Sequence, residues 1–390
     1  MNTSTRGISW FFFLFCLAFT ACQKTNKEQS REPIQLGALF SLSGSKSDLG
    51  IPSARGAQLA VAQLNEKGGI LDREVQLLVK DGESDASIGA QQVATLMQEA
   101  PDIAAFLGLS DTDLALSAAT ESSLYDRVFL TSGATSPLLP TQVPDYLFLA
   151  CFGDNVQAAA AAEWAYDELN LRTAVVVYDT LETYTVLLQK YFIDRFESLG
   201  GQVLAVKGYN PSDREAILQN LPTAELVFLS SGSAQDARSN IQLMREAGIT
   251  VPVIGGDGYE SETEWEAHPE IQDVFYTTHA YLGSDNLQPR VKEFNKVYTE
   301  AYGGALPDAF AALGYDAVNL LAKAIEKAAS TDPLKVQEAL AQLSDFSGVT
   351  GDISFSTGQQ IPSKSVTLME VKGGKRIYRN ALIPKVIPQP

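Results

Sequence analysis

Hydroxyl-rich loops follow two apolar runs in the first half of the chain, where they could bind an anion. The loop after residues 103–107 reads Gly-Leu-Ser-Asp-Thr-Asp and opens a predicted helix. The loop after residues 128–130 reads Thr-Ser-Gly-Ala-Thr-Ser-Pro. Hydroxyls and N–H groups at a helix N-terminus favour an anion such as a carboxylate. Taken singly, each loop is explained better by helix capping, which serine and threonine commonly perform.

An acidic residue among glycines in the second half of the chain could bind a cationic group. Asp257 follows the apolar run 251–254 in the segment Gly-Gly-Asp-Gly-Tyr, and Asp179 and Tyr184 follow the run 173–178. The flanking glycines allow close backbone approach and predict a carboxylate exposed at the rim. Such a carboxylate can accept a charge-assisted hydrogen bond from an ammonium group. An ordinary turn aspartate is the alternative.

Residue types that catalysis needs are scarce in this sequence. There are two histidines, His268 and His279, and only one of the three cysteines, Cys151, lies in the expected folded part. With no nucleophile-elbow, phosphate-loop or dinucleotide motif, the sequence predicts a protein that is not an enzyme and holds no cofactor or metal. We expect His268 at the solvated surface and Cys151 buried as a small apolar residue. For His279 we expect a partly exposed loop, with a place near a hinge as the alternative.

The elements that must position these loops alternate along the chain from residue 34 onward. Predicted strands cover residues 34–40, 75–79, 103–107, 128–130, 173–178, 203–206, 226–229, 251–254 and 274–276. Because amphipathic helical stretches separate them, the strands should form two parallel, doubly wound sheets. The last third reads as three helices and then two strands. We expect its helices to return to the first lobe and its strands to close the second.

The N-terminus has the features of a bacterial export signal. Arg6 precedes an apolar stretch over residues 8–19, which is shorter than the roughly 20 residues that a spanning helix needs. The segment Phe19-Thr20-Ala21-Cys22 is similar to a lipobox. We therefore predict a signal peptide over residues 1–21, acylation of Cys22 and a flexible tether over residues 22–32. The protein would then face the periplasm from a membrane that it touches only through the lipid. An ordinary signal peptide is the alternative.

The charge balance argues against nucleic acid as a partner. The chain has 29 basic and 47 acidic residues, a net charge of −18. Removal of residues 1–21 takes away one charge, that of Arg6, and leaves −19. Phosphate backbones would repel such a chain.

Six segments along the chain form a set of motifs: Ser41-Leu42-Ser43-Gly44, Leu64-Asn65-Glu66-Lys67-Gly68-Gly69-Ile70, Lys80-Asp81, residues 131–137, Ala247-Gly248-Ile249 and Gly256-Asp257-Gly258. Together they resemble motifs of the leucine/isoleucine/valine-binding protein family, the substrate-binding components of branched-chain amino-acid ABC transporters. The resemblance runs from residue 34 to about residue 383. The helix end at residues 64–70, followed by a strand that ends in Lys-Asp, is the most specific of them.

The resemblance implies an α/β fold of two Rossmann-like lobes with parallel sheets, joined by a hinge, as in type I periplasmic binding proteins. We place the N-terminal lobe at residues 33–152 and 280–362, and the C-terminal lobe at residues 153–279 and 363–390. Members of the family close the lobes around a ligand. They are expected to work as monomers with an ABC transporter permease.

The family's ligand contacts can be carried over to matching positions of this chain. Thr112, Gly133 and Thr135 would hold the α-carboxylate of an amino acid on the first lobe. Asp257 would hold the α-ammonium group from the second lobe, with the Tyr184 ring beside the ligand.

The chain departs from the family pattern around the expected ligand side chain. Leu49 stands where an aromatic residue is common, and Ser231-Gly232-Ser233 replaces a more aromatic segment. Asp111 and Asp113 flank the carboxylate site and must point away or cap the helix. The expected function is capture of an amino acid or similar zwitterion for an ABC importer, with the identity of the amino acid left open. The alternative is a sensing or docking lipoprotein of the same fold that regulates another envelope protein.

Overall fold

The computed structural model of the chain describes residues 32–355 and 359–390. The predicted signal peptide and the lipidation site Cys22 lie outside the described residues. The strands are β1 Ile34–Phe40, β2 Val75–Asp81, β3 Ala105–Gly108, β4 Phe129–Thr131, β5 Leu147–Leu149, β6 Thr173–Asp179, β7 Gln202–Tyr209, β8 Leu226–Ser230, β9 Val253–Gly255, β10 Val274–Thr278, β11 Phe346–Gly348, β12 Gly351–Ile353, β13 Val366–Lys372 and β14 Lys375–Leu382.

Helices alternate with most of these strands. They are α1 Ser47–Glu66, α2 Ala86–Glu99, α3 Thr112–Ser123, α4 Leu139–Gln142, α5 Asp154–Glu163, α6 Thr183–Ser198, α7 Arg214–Leu218, α8 Ala234–Glu246, α9 Glu262–Glu266, α10 Pro289–Ala301, α11 Ala309–Ala328 and α12 Pro333–Ala341. A π-helical turn, Trp164–Glu168, continues α5, and a 3-10 turn, Asp257–Tyr259, follows β9. Across residues 32–355 and 359–390, none of the helices combines the length and the hydropathy that a membrane span needs.

Two separate sheets form the frame of the molecule. The first has the order β2-β1-β3-β4-β5, and all of its strands are parallel. The second has the order β14-β13-β10-β9-β8-β6-β7, in which β6 to β10 are parallel and β13 and β14 are antiparallel additions at one edge. Most of β1 is buried because helices cover both faces of its sheet. The predicted two-lobed α/β fold is therefore confirmed.

The last third of the chain returns to both lobes. Helix α11 packs on α1 in the core of the first lobe, while β13 and β14 join the second sheet. Glycine makes the helix contact close: a Cβ atom at position 56 would lie 1.8 Å from the Ala311 carbonyl oxygen, and one at position 314 would lie 2.0 Å from that of Ser53. This contact places Phe310, near the start of α11, beside the loop after β4, where its Cε1 would lie 3.1 Å from a Cβ atom at position 133.

Within the described residues, the chain passes from one sheet to the other near residues 150–153 and 279–288, and β12 of the first lobe is followed by β13 of the second sheet. These crossings bring the carboxyl ends of the parallel strands of one sheet toward those of the other. In open α/β sheets this edge is where ligands bind. The residue boundaries that we assigned to the lobes stay a prediction.

Candidate functional site

A small cavity between the lobes is lined by all five residues that the sequence singled out. Thr112, Gly133 and Thr135 reach it from the first lobe, and Tyr184 and Asp257 reach it from the second. The cavity volume is about 20 Å³, which is enough for about one water molecule. The lobes are therefore closed on each other in this structure, and a ligand needs them to open.

Hydroxyl groups form the first-lobe side of the cavity. Thr112 begins α3 and is 4% exposed, and its Oγ1 is buried without a hydrogen-bond partner among the described residues. Gly133 follows β4, where a Cβ atom would lie 2.8 Å from Ser110 Oγ. Thr135 is buried as well, and its backbone carbonyl accepts a 2.6 Å hydrogen bond from the Asp154 N–H at the first crossing between the lobes.

The two acidic residues beside Thr112 have partners of their own. Asp111 caps α3, since its Oδ1 accepts hydrogen bonds from the N–H groups of Asp113 at 3.0 Å and Leu114 at 3.3 Å. Asp113 accepts from Thr183 Oγ1 of the second lobe, at 2.9 and 3.0 Å to its two oxygens. Capping is thus one role of this loop, and it leaves the Thr112 hydroxyl free to face the cavity.

The second-lobe side of the cavity is built around Asp257. The expected exposure of this carboxylate at the rim is wrong, because Asp257 is 4% exposed. Its Oδ1 accepts hydrogen bonds from Gln157 Nε2 at 2.7 Å and from the Tyr184 hydroxyl at 2.9 Å, and its Oδ2 lies 2.9 Å from His279 Nε2. Three donors from three separate elements hold this carboxylate in one orientation.

Tyr184 orients Asp257 through a direct hydrogen bond. Its hydroxyl donates to that carboxylate and also accepts from the Gly258 N–H at 3.4 Å. Burial, and then the nearby Asp257 charge, raise the pKa of Tyr184, so the phenol keeps its proton. A Cβ atom at position 256 would lie 2.4 Å from the Tyr184 hydroxyl oxygen, which explains one of the glycines that flank Asp257.

His279 is buried, and the prediction of a partly exposed loop residue is wrong. It is 1% exposed, and its ring stacks on Phe152 with centroids 4.1 Å apart. Burial lowers its pKa, although the hydrogen bond to Asp257 opposes that effect. The imidazole is therefore neutral at neutral pH, with its proton on Nε2, because a carboxylate can only accept. His279 directly follows β10 at the second crossing between the lobes, which is the alternative place we considered.

Asp154 is a second buried acid that sequence reasoning missed. It is 0% exposed at the start of α5, and its Oδ1 accepts from Gln157 Nε2 at 2.9 Å. The Gln157 amide thus bridges the two carboxyl groups, while its Oε1 accepts from Thr277 Oγ1 at 2.7 Å and from the Asp257 N–H at 3.1 Å. Burial, and then the charge of Asp257, raise the pKa of Asp154 to about 8.

A charged pair that sequence reasoning also missed spans the mouth of the cavity. Lys46, just before α1, places its Nζ 2.9 Å from Glu182 Oε1 of the second lobe and 3.5 Å from Asp111 Oδ2. All three residues line the cavity. Lys46 and Glu182 lie in loops that follow predicted strands, but a charged residue in a loop carries no local signal of a partner on the opposite lobe.

The remaining reactive residue types are placed elsewhere. Cys151 is fully buried, as predicted, and burial raises the pKa of its thiol, which keeps it unreactive. The His268 side chain is 30% exposed and lies 3.1 Å from Glu270, in agreement with the predicted surface position. In the part of the chain that the structure describes, no three His, Cys, Asp or Glu side chains are grouped to hold a metal ion.

Comparison with known proteins agrees with this geometry. Residues 33–375 match the sequence pattern of the family described as periplasmic binding protein. The chain is 25% identical over 328 residues to the Leu/Ile/Val-binding protein homolog 1 of Brucella melitensis, which covers 83% of this chain and 86% of that protein.

Solved structures show the same architecture. LivK, a leucine-binding protein from Thermotoga maritima, is 28% identical with a TM-score of 0.81, over 90% of this chain and 99% of that one. LivJ, the branched-chain amino-acid transporter substrate-binding protein from Streptococcus pneumoniae, solved with isoleucine, is 25% identical with a TM-score of 0.80, over 91% of this chain and 100% of that one. The chain therefore belongs to the periplasmic binding protein family and, within it, to the solute-binding proteins of the leucine/isoleucine/valine type.

Proposed function

We propose that this protein captures an amino acid or a similar small zwitterion between its closing lobes and delivers it to an ABC importer. One observation carries the proposal: five residues from four separate segments line a single interlobe cavity, with hydroxyls on one lobe and an acid on the other. A free amino acid carries a carboxylate and an ammonium group a few bonds apart. Thr112, Gly133 and Thr135 would receive the first group, and Asp257 the second.

The arrangement of partners supports these roles. The Thr112 hydroxyl is buried with no partner in the described part of the chain, which costs about 1–3 kcal/mol unless a ligand supplies the missing hydrogen bond. The Asp257 carboxylate is oriented by three donors, none of which is a cation. An ammonium group would therefore add the balancing charge that this buried acid lacks.

The same geometry favours capture over a docking role without a transported ligand. A docking protein has no need for an open site, so bulky side chains could fill its cleft. The cavity here has bulky side chains in Leu49, Tyr184 and Phe310, but the rest of its lining is mostly glycines, hydroxyl groups and carboxyl groups. Its small volume results from lobe closure, which an opening motion reverses.

The proposed setting follows from the N-terminus and the family. Acylation of Cys22 would anchor the protein to a membrane, from which the tether lets the lobes reach an ABC transporter permease as a monomer in the periplasm. Mass spectrometry of the protein purified from a bacterial membrane tests the anchor, since a diacylglyceryl mass on Cys22 is expected. An unmodified Cys22 or a cut elsewhere would contradict it.

Calorimetric titration of ligand-stripped protein with the twenty amino acids tests the binding role. At least one should bind, and Asp257→Asn should weaken that binding about 100-fold or more, because a buried charge-assisted bond is worth about 1.5–3 kcal/mol and the ligand's charge loses its counterpart. Glu163→Gln is a matched control, since Glu163 is 4% exposed and pairs with Arg195 away from the cavity. Both variants should lose stability, but only Asp257→Asn should lose binding. No heat with any amino acid would refute the proposal.

A further inference from the structure

Glu182 presents an unused hydrogen-bond acceptor to the cavity. It is the N-cap residue of α6, yet its side chain makes no capping hydrogen bond. One carboxylate oxygen, Oε1, accepts from Lys46 Nζ at 2.9 Å. The other, Oε2, is buried without a partner among the described residues. The side chain thus lies toward the opposite lobe and the cavity, with one oxygen paired and one available.

Gly232 makes room for this carboxylate. A Cβ atom at position 232 would lie 1.8 Å from Glu182 Oε2 and 2.5 Å from its Cδ. Any other residue at position 232 would push Glu182 away from Lys46. The short loop Ser231-Gly232-Ser233 therefore accommodates a carboxylate where an aromatic side chain could have formed an apolar wall.

Apolar surface is scarce around this end of the cavity. Its apolar lining consists of Leu49, Phe310 and the ring of Tyr184. The Tyr184 hydroxyl already donates to Asp257. An aliphatic ligand side chain placed here would cover the Lys46–Glu182 pair without replacing a hydrogen bond. An unsatisfied buried acceptor costs about 1–3 kcal/mol, which corresponds to about 5- to 150-fold in affinity.

The negative charge of Glu182 already has a cationic partner in Lys46. Lys46 lies within 3.5 Å of both Glu182 and Asp111, and Asp111 also caps the positive end of α3. A further positive charge on the ligand is therefore not required. What the pair lacks is one hydrogen-bond donor for Oε2.

On these grounds we infer that the ligand is an amino acid with a neutral, hydrogen-bond-donating side chain, a hydroxyl or an amide, which donates to Glu182 Oε2. This inference rests on the proposed function, since it assigns the side-chain contact of the same site. Glu182 is then a specificity-determining residue, Lys46 holds its carboxylate in place, and branched aliphatic amino acids are the poorer ligands.

Titration of wild-type protein with serine, threonine, asparagine, glutamine, leucine, isoleucine, valine, lysine and arginine tests the inference. At least one of serine, threonine, asparagine and glutamine should bind about 10-fold or more tightly than any of the five other amino acids. In Glu182→Met, which keeps the length of the side chain but removes both oxygens, that preferred ligand should lose about 10-fold or more in affinity, while leucine should lose none. Glu197→Met is the matched control, an exposed glutamate of the same helix, and should behave as wild type.

The outcomes separate the inference from the proposed function. If leucine, isoleucine or valine binds as tightly as the best polar ligand, and Asp257→Asn still weakens binding by about 100-fold or more, the zwitterion site stands and the inference is overturned. A preference for lysine or arginine overturns it as well. An unchanged preference for the polar ligand in Glu182→Met shows that another residue selects it, which also overturns the role of Glu182. If no amino acid binds, both proposals fail.

Discussion

The raised pKa of Asp154 predicts how the free energy of unfolding depends on pH. This carboxyl group has a pKa of about 8 in the folded protein, against 3.8 for an unperturbed aspartate. Above pH 4 the unfolded chain releases the proton that the folded protein retains, so the folded state loses stability as the pH rises, until the folded group ionises near pH 8. At about 1.4 kcal/mol for each pKa unit, the loss amounts to about 6 kcal/mol between these limits.

Most titratable groups around Asp154 keep their charge state between pH 4 and 8. The titratable side chains that face it are Asp257, Cys151, Tyr184 and Tyr191. Burial raises the pKa of the thiol and of both phenols, to about 12 for Tyr191, so these groups stay neutral up to pH 8. Asp257 is the acidic neighbour, and Coulomb repulsion between the two carboxylates opposes the ionisation of Asp154.

Asp154→Asn removes the titration and keeps a neutral group that can accept from Gln157. Chemical unfolding of both proteins at several pH values from 4 to 9 gives the difference in unfolding free energy. That difference should move in favour of the variant by about 6 kcal/mol between pH 4 and 8, because only wild-type protein loses the Asp154 contribution. Asp194→Asn, a substitution at an exposed position of α6, should stay parallel to wild type. A wild-type-to-variant difference that is constant across this range would refute the reasoning.

Two further substitutions test the contacts between the lobes. Gly232→Ala should lower the affinity for the preferred ligand about 10-fold in calorimetric titration, because the added Cβ would lie 1.8 Å from Glu182 Oε2 and force that carboxylate away from Lys46. An unchanged affinity would contradict the packing argument. Thr183→Val removes the hydroxyl that donates to Asp113 across the cavity mouth. Stopped-flow measurement should show ligand dissociation that is about 2- to 10-fold faster with little change in unfolding temperature, and an unchanged rate would show that this contact does not hold the lobes closed.

The periodic pattern of the sequence predicted the frame of the molecule well. β1 has the predicted bounds, and the other predicted strands overlap strands of the structure, since buried parallel strands read as short apolar runs. β14 was missed because it is a largely exposed edge strand with a polar sequence, Lys-Arg-Ile-Tyr-Arg-Asn-Ala-Leu. Local patterns report burial, and an edge strand with little burial gives a weak signal.

The network around the site was less predictable. The apolar periodicity predicts a helix over residues 158–169, but α5 begins at Asp154, because Asp154, Asn155 and Gln157 do not fit that periodicity although all three are buried. His279 was expected to be partly exposed because polar residues after a strand usually enter a loop. Their burial depends on the second lobe closing over the crossing segments, a long-range arrangement that no local pattern contains.

The two halves of the site lie on different lobes, and this arrangement determines how closure would select a ligand under the proposed function. Asp257 and its donors belong to the second lobe and its crossings, whereas the Thr112 hydroxyl belongs to the first. A ligand shifts an open–closed equilibrium only by its difference in affinity for the two states. An amine or a carboxylate alone could be held by one open lobe and would gain little from closure. A zwitterion meets both halves of the site only when the lobes close, so closure itself would select for ligands that carry both charges.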